Sequence, residues 1–230
     1  MENDKKNQYI IEIRNLKKNF ITPSETLEVL RGVNLKVKRG EFTSIMGPSG
    51  SGKSTLLNII GLLDSFNEGE YFLSGIDIKN LSTKEKRKIR LFKLGFIFQT
   101  FNLIQTLTVQ QNIELPMALA KIPQTEQSEK SSFLLKKFGL SKKAKNFPYQ
   151  LSIGEQQRVA ISRALVMDPV LILLDEPTGN LDVKNSEKIL DYLQTLKQFN
   201  TSILIVSHNP AVKRITDTNY TLEEGIITQE

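Results

Sequence analysis

Apolar and polar positions along this chain switch between two periods, and the switches outline its elements. Residues 9–14 (Tyr-Ile-Ile-Glu-Ile-Arg) and 33–38 (Val-Asn-Leu-Lys-Val-Lys) alternate apolar with polar, as strands with one wet face do. Residues 42–46 read as a short strand and 56–63 as a buried helix, while 19–24 are loop-like and Arg39-Gly40 a turn. Turns at 67–70 and Ser74-Gly75 bracket a strand at 71–73, residues 84–90 form a basic helix, and 94–98 form a buried strand ending at Gln99. Residues 101–150 are mostly helical, with loops at 122–125 and 146–149. The apolar run 170–174 is of the kind buried on both faces of a parallel sheet, and so is 202–206 beyond a helix at 186–199. The tail, 220–227, reads as a hairpin, and residues 1–7 are polar and read as frayed. The pattern predicts an α/β fold in one domain spanning 1–230, with a parallel core, an antiparallel β lobe and a helical lobe over roughly 100–160.

Composition narrows the class. With 39% hydrophobic and 24% charged residues, the 230-residue chain has ordinary globular composition and can bury a substantial core. Its longest apolar runs fall far short of the roughly 20 residues that a membrane span needs, and the polar start 1–6 lacks the apolar stretch of a secretory leader. The absence of cysteine excludes disulfides, thiolate metal sites and cysteine nucleophiles. A net charge of +6 admits a nucleotide, an acidic membrane surface or nucleic acid as partner, and does not choose among them.

The chemistry centres on Gly47-Pro48-Ser49-Gly50-Ser51-Gly52-Lys53-Ser54-Thr55, which satisfies G-x-x-x-x-G-K-[ST] between a strand and a helix. Glycines let the backbone curl so that its N–H groups converge on phosphate oxygens, and the helix N-terminus adds its dipole. Lys53 supplies a cation for the β- and γ-phosphates, and the Ser54 hydroxyl can ligate Mg²⁺. This stretch predicts a nucleoside triphosphate site. Asp175 and Glu176 end the buried run 170–174, at the sheet edge where ligands sit in open α/β folds. Asp175 can hold the same Mg²⁺, and Glu176 is placed to orient or deprotonate an attacking water. His208, the sole histidine, follows the next apolar strand and is a candidate γ-phosphate contact. Phe20 lies where a ring could stack on a base or fill a core, and the basic helix 84–90 could face anionic lipid or simply solvent.

Leu151-Ser152-Ile153-Gly154-Glu155-Gln156-Gln157-Arg158 is similar to the signature L-S-G-G-Q-Q-Q-R of ATP-binding cassette (ABC) transporters. With this element the chain resembles the nucleotide-binding subunit of that family from Phe20 to His208. The resemblance implies a P-loop NTPase with a RecA-like core, ATP and Mg²⁺ as cofactors, and ATP hydrolysis. It implies adenine stacking on Phe20 and a Gln99 that touches Mg²⁺ and senses a membrane partner. Glu176 becomes the catalytic carboxylate, His208 the switch histidine, and Asp182, in residues 179–182, the acid of a dimer-interface loop. It further implies an ATP-bound homodimer in which Ser152 and Gly154, with Glu155 beside them, reach the nucleotide held by the other copy. Ile153 and Glu155 depart from the signature's glycine and glutamine, a change expected to affect the rate of closure rather than the trans contact. Residues 175–182, 94–99 and 112–116 resemble the lipoprotein-release and macrolide-efflux subgroup, which implies a separate transmembrane permease and a peripheral position at the cytoplasmic face of the membrane. The alternatives are a conventional solute transporter and a soluble ATPase for cofactor assembly or DNA work. No nucleic-acid partner is expected, since no sustained heptads separate the P-loop from the signature.

Overall fold

The computed structural model describes residues 8–23, 25–179, 183–199 and 201–230. Two sheets organise it. Strands β1 (Tyr9–Ile21), β2 (Thr26–Lys38), β4 (Glu68–Leu73) and β5 (Ile76–Asp77) form an antiparallel sheet in the order β2-β1-β4-β5. Strands β3 (Phe42–Met46), β6 (Leu94–Ile97), β7 (Leu171–Asp175), β8 (Ser202–Ser207), β9 (Thr218–Glu223) and β10 (Ile226–Gln229) form a second sheet, ordered β10-β9-β3-β8-β7-β6. Its neighbours run parallel except for the terminal hairpin β9–β10.

Alternation explains why the central parallel strands β7 (171–174) and β8 (203–206) are apolar without a break. Ile172, Leu174, Ile203 and Ile205 join a core shared with the helices, whereas Leu171, Leu173, Leu204 and Val206 join a core facing the antiparallel sheet. Each strand is thus buried on both faces. Between the two sheets lies α1 (Lys53–Ile60), with Leu56, Leu57, Ile59 and Ile60 in the second core. Helix α2 (Thr83–Lys93) buries no residue fully. Helices α3 (Val109–Leu119), α4 (Gln124–Lys137) and α5 (Ile153–Leu165) pack on one another and contribute to the first core, together with α6 (Val183–Gln194).

Several boundaries differ from the sequence reading. Residues 19–21, expected in a loop, continue β1, with Phe20 paired to Leu27. Register shifts along the β1–β2 ladder break the alternation that would have marked them. Residues 68–70, expected in a turn, belong to β4 and pair with Arg14 and Lys17; their polar character reflects a wet sheet face. Helix α1 begins at Lys53 itself, and the helix at 186–199 is α-helical only to Gln194, tightening to a 3₁₀ turn over Thr195–Phe199. Residues 101–108 form turns ahead of α3 rather than helix.

Candidate nucleotide site

The P-loop connects the end of β3 to the start of α1. Gly47 comes so close to the terminal hairpin that a Cβ there would lie 2.2 Å from the Leu222 carbonyl oxygen. Gly52 caps α1 at φ 102°, a conformation that favours glycine. Helices α2, α3 and α5 each begin with a reciprocal capping box, but α1 has neither a side-chain cap nor an acid in its first turn. Its first backbone N–H groups therefore meet no anionic side chain, which suits a phosphate-binding helix start. Ser51 Oγ is buried with no partner, and Pro48, Ser49 and Gly50 are exposed. The Lys53 ammonium is buried and donates to the carbonyls of Gly47 (2.9 Å) and Pro48 (2.8 Å), while Thr55 is half-buried in the first turn.

The second constellation closes on the first. Ser54 Oγ donates to Asp175 Oδ1 at 3.4 Å, across the gap between α1 and the end of β7. Burial pushes the Asp175 carboxyl above its ordinary range, against the opposing hydrogen bond from Ser54. Among the described residues no cluster of three histidine or acidic side chains could hold a metal unaided. A hydroxyl and one desolvated carboxylate instead fit Mg²⁺ that takes its remaining ligands from phosphate and water.

Glu176 adopts φ 45°, in the left-handed region, just past the strand end. Its carboxylate accepts from Ser207 Oγ (3.0 Å) and the His208 backbone N–H (3.2 Å), and Oε1 lies 3.0 Å from His208 Nδ1. The structure thus brings Asp175, Glu176 and His208 to one sheet edge. Gln99 joins them, because a Cβ on Gly179 would stand 2.9 Å from its Nε2 and 3.4 Å from Glu176 Cβ. Ser207, not singled out from sequence, is the unforeseen member; its only signal is its place at the end of β8, one residue before the histidine.

Phe20 is 41% exposed, which makes it a surface ring rather than a core one. The Lys18 ammonium sits 4.8 Å from its centroid while bonded to Asp64 at 2.9 Å. Phe20 pairs with Leu27, two residues from Val29, whose carbonyl approaches Gly52. The strand that pairs with Phe20 thus reaches the P-loop through Val29.

Ser152, Gly154 and Glu155 begin α5. Their described hydrogen bonds and ion pairs run within that helix start and to Lys143, not to the P-loop. Ser152 Oγ receives the Glu155 N–H (3.3 Å), and the Glu155 carboxylate accepts from the Ser152 N–H (2.8 Å). That backbone bond holds the Glu155 carboxyl below its usual range. A Cβ on Gly154 would meet only Arg158 Nη1, at 3.9 Å, and Ile153 is 52% exposed. Gly179 lies in a turn, while Asn180, Leu181 and Asp182 lie outside the described residues.

A glycine-rich loop ahead of an uncapped helix, facing two carboxylates and a histidine across a parallel sheet edge, defines a P-loop nucleotide-binding protein. The model of the ABC transporter family matches residues 30–179, and the chain belongs to that family. It is similar to the lipoprotein-releasing system ATP-binding protein LolD of Aquifex aeolicus, with 44% identity over 88% of this chain and 91% of that one. The macrolide export ATP-binding/permease protein MacB of Vibrio parahaemolyticus is 38% identical over 95% of this chain, which spans 33% of that longer protein. A dimeric structure of the cassette MJ0796 of Methanocaldococcus jannaschii, in a post-hydrolysis state with ADP and Pi, superposes with a TM-score of 0.85. It is 42% identical, covering 96% of this chain and 97% of that one. The chain is an ATP-binding ATPase subunit of an ABC transporter, and these relatives support a homodimer acting with a transporter partner.

Proposed function

We propose that this chain is a single nucleotide-binding domain that powers a separate permease of the lipoprotein-release or macrolide-export type from the cytoplasmic face of the membrane. Support for that placement comes from the family and the subgroup-like segments at 94–99, 112–116 and 175–179; no helix among the described residues is long and apolar enough to cross a membrane. Two copies sandwich two ATP molecules. In each site the backbone of residues 47–55 and the Lys53 ammonium hold the phosphates, and Phe20 stacks on the adenine. Ser54, Asp175 and Gln99 would hold Mg²⁺, which would supply positive charge to the phosphates. Ser152, Gly154 and Glu155 approach from the other copy, with Ser152 turning its hydroxyl from the cap toward the γ-phosphate.

The observation that carries the reading is the Glu176 carboxylate, fixed by Ser207 and His208 beside the P-loop. A carboxylate so held orients a water whose oxygen attacks the γ-phosphorus in line. The bond from phosphorus to the bridging oxygen breaks, the water's proton passes to Glu176, and ADP and phosphate result. Lys53 and His208 offset the charge that builds on the transferring group. The dimer then reopens and moves the permease through the Gln99 region and the helical lobe.

The test is a mild-detergent pull-down from native membranes with the Glu176→Gln chain trapped by ATP. Recovery of a membrane protein with few spans and a large extracytoplasmic domain supports the export reading. A many-span permease redirects it to a solute transporter, and recovery of a soluble complex alone sinks it.

A further inference from the structure

Phe20 follows a defect in the β1–β2 ladder. Lys18 pairs with Leu30 and Asn19 with Glu28, so β2 carries one extra residue, Val29, against a regular β1. A Cβ on Gly52, at the start of α1, would lie 3.0 Å from the Val29 carbonyl oxygen, so the defect sits against the P-loop. Because the extra residue belongs to β2, alternation along β1 is kept, and Lys18 and Phe20 share one face of that strand.

Lys18 is buried, at 7% exposure, although it is a lysine. Its ammonium donates to Asp64 Oδ1 at 2.9 Å and to the Ser65 carbonyl at 2.7 Å. Asp64 Oδ1 also accepts from the Ser65 N–H at 2.7 Å, and the Asp64 N–H donates to the carbonyl of Asn58, inside α1. An ammonium has three N–H donors. With two of them spent, the remaining described partner of the Lys18 charge is the Phe20 ring, whose centroid is 4.8 Å from Nζ. The other lysines set over rings, Lys36, Lys137 and Lys197, are exposed. A cation–ring contact in water is weak, whereas a desolvated ammonium makes a stronger one. Here the ammonium is also fixed in place by two hydrogen bonds. A continuous set of contacts therefore runs from the Phe20 ring through Lys18 and Asp64 to α1, the helix that begins at Lys53.

We infer that Lys18 is a positioning residue for the adenine. It holds the Phe20 ring from one side and, through Asp64 and α1, sets the reach between ring and P-loop. The inference rests on the reading of Phe20 as the ring that stacks on the base. The competing account makes Lys18 a staple of the fold, with no effect that passes through the ring.

The experiment is calorimetric titration of the full chain with ATP, in EDTA to prevent turnover, for the parent, Phe20→Ala, Lys18→Met and the double variant. Phe20→Ala is expected to weaken ATP binding by about 10-fold or more, as loss of base–ring stacking does. Lys18→Met is expected to weaken it by about 3- to 10-fold. In the Phe20→Ala background the same Lys18 change should cost less than about twofold, because its effect passes through the ring. Lys18→Gln, which keeps an N–H donor for Ser65 without the charge, should match Lys18→Met, and melting curves show which of the two is folded. Parent-like affinity in a folded Lys18 variant, equal losses with and without the Phe20 ring, or loss of fold in both Lys18 variants would each overturn the inference. Phe20→Ala separates the two readings. Unchanged ATP affinity there removes the stacking reading together with the inference, whereas a loss there without one in the Lys18 variants removes the inference alone.

Discussion

The Glu176 carboxylate and the His208 imidazole meet across the ends of two adjacent parallel strands, with Oε1 and Nδ1 3.0 Å apart. Ser207 and the His208 backbone hold the other carboxylate oxygen, so the side chain has little freedom to turn. Replacing Glu176 with Gln keeps its size and removes its ability to take a proton. Turnover should fall by ~10² or more, while ATP binding persists and an ATP-bound dimer accumulates. Phosphate release and size-exclusion chromatography with ATP read these two effects. Hydrolysis at the wild-type rate would show that Glu176 is not the base. His208→Ala, which frees the carboxylate on one side, should cost roughly 10- to 100-fold in turnover.

Ser152 has two duties that separate by substitution. It caps α5, and its hydroxyl is the group proposed to reach the other copy's nucleotide. Ser152→Ala should lose about 1 kcal/mol of stability together with most turnover, and keep ATP binding in the monomer. Ser152→Asn restores a good cap without the hydroxyl, so the urea midpoint should recover while hydrolysis stays low. Loss of monomer binding in either variant would place Ser152 in the same-copy site.

Asp175 links burial to pH. Its folded carboxyl is raised above the ordinary 3.8, chiefly by desolvation. The folded state therefore holds this proton to higher pH than the unfolded chain, and the contribution of Asp175 to stability declines as pH rises from about 4 through the raised value. Asp175→Asn should remove that decline and raise the melting temperature of the nucleotide-free chain at neutral pH. The same variant should lose the extra thermal shift that Mg²⁺ adds to ATP. A lower melting temperature for Asp175→Asn would show that the carboxylate is paid for by contacts not accounted for.

The parts of this site that were legible in the sequence are those whose residue types are dictated locally. Gly52 must hold a positive φ, and residues 171–174 must be apolar because both faces of β7 are covered. Glu176 and His208 were readable for a related reason, since each directly follows such a strand or its last residue. The rest depends on contacts that no local pattern encodes. Ser207 matters because it meets a carboxylate 31 positions away. The continuation of β1 to Ile21 depends on a ladder whose register shifts erase the alternation. The Glu155 cap lies between: its spacing from Ser152 is that of a capping box, but only the folded geometry shows the carboxylate turned back onto the helix start.

Gly95 offers a stability test that reaches the site. It lies in β6, where a Cβ would stand 2.6 Å from the Ala164 carbonyl oxygen and 3.2 Å from Ala164 Cβ. Alanine at 95 must therefore push β6 away from α5, at a cost of about 1–3 kcal/mol, read as a lower urea midpoint. Because the closest atom is backbone, Gly95→Ala/Ala164→Gly should recover little of the loss; full recovery would mean that the methyl of Ala164, not its carbonyl, sets the spacing. Strand β6 ends two residues before Gln99, so the same displacement shifts the amide that packs beside Gly179 and Glu176. Turnover should then fall by more than the unfolded fraction explains, with ATP binding through the P-loop retained.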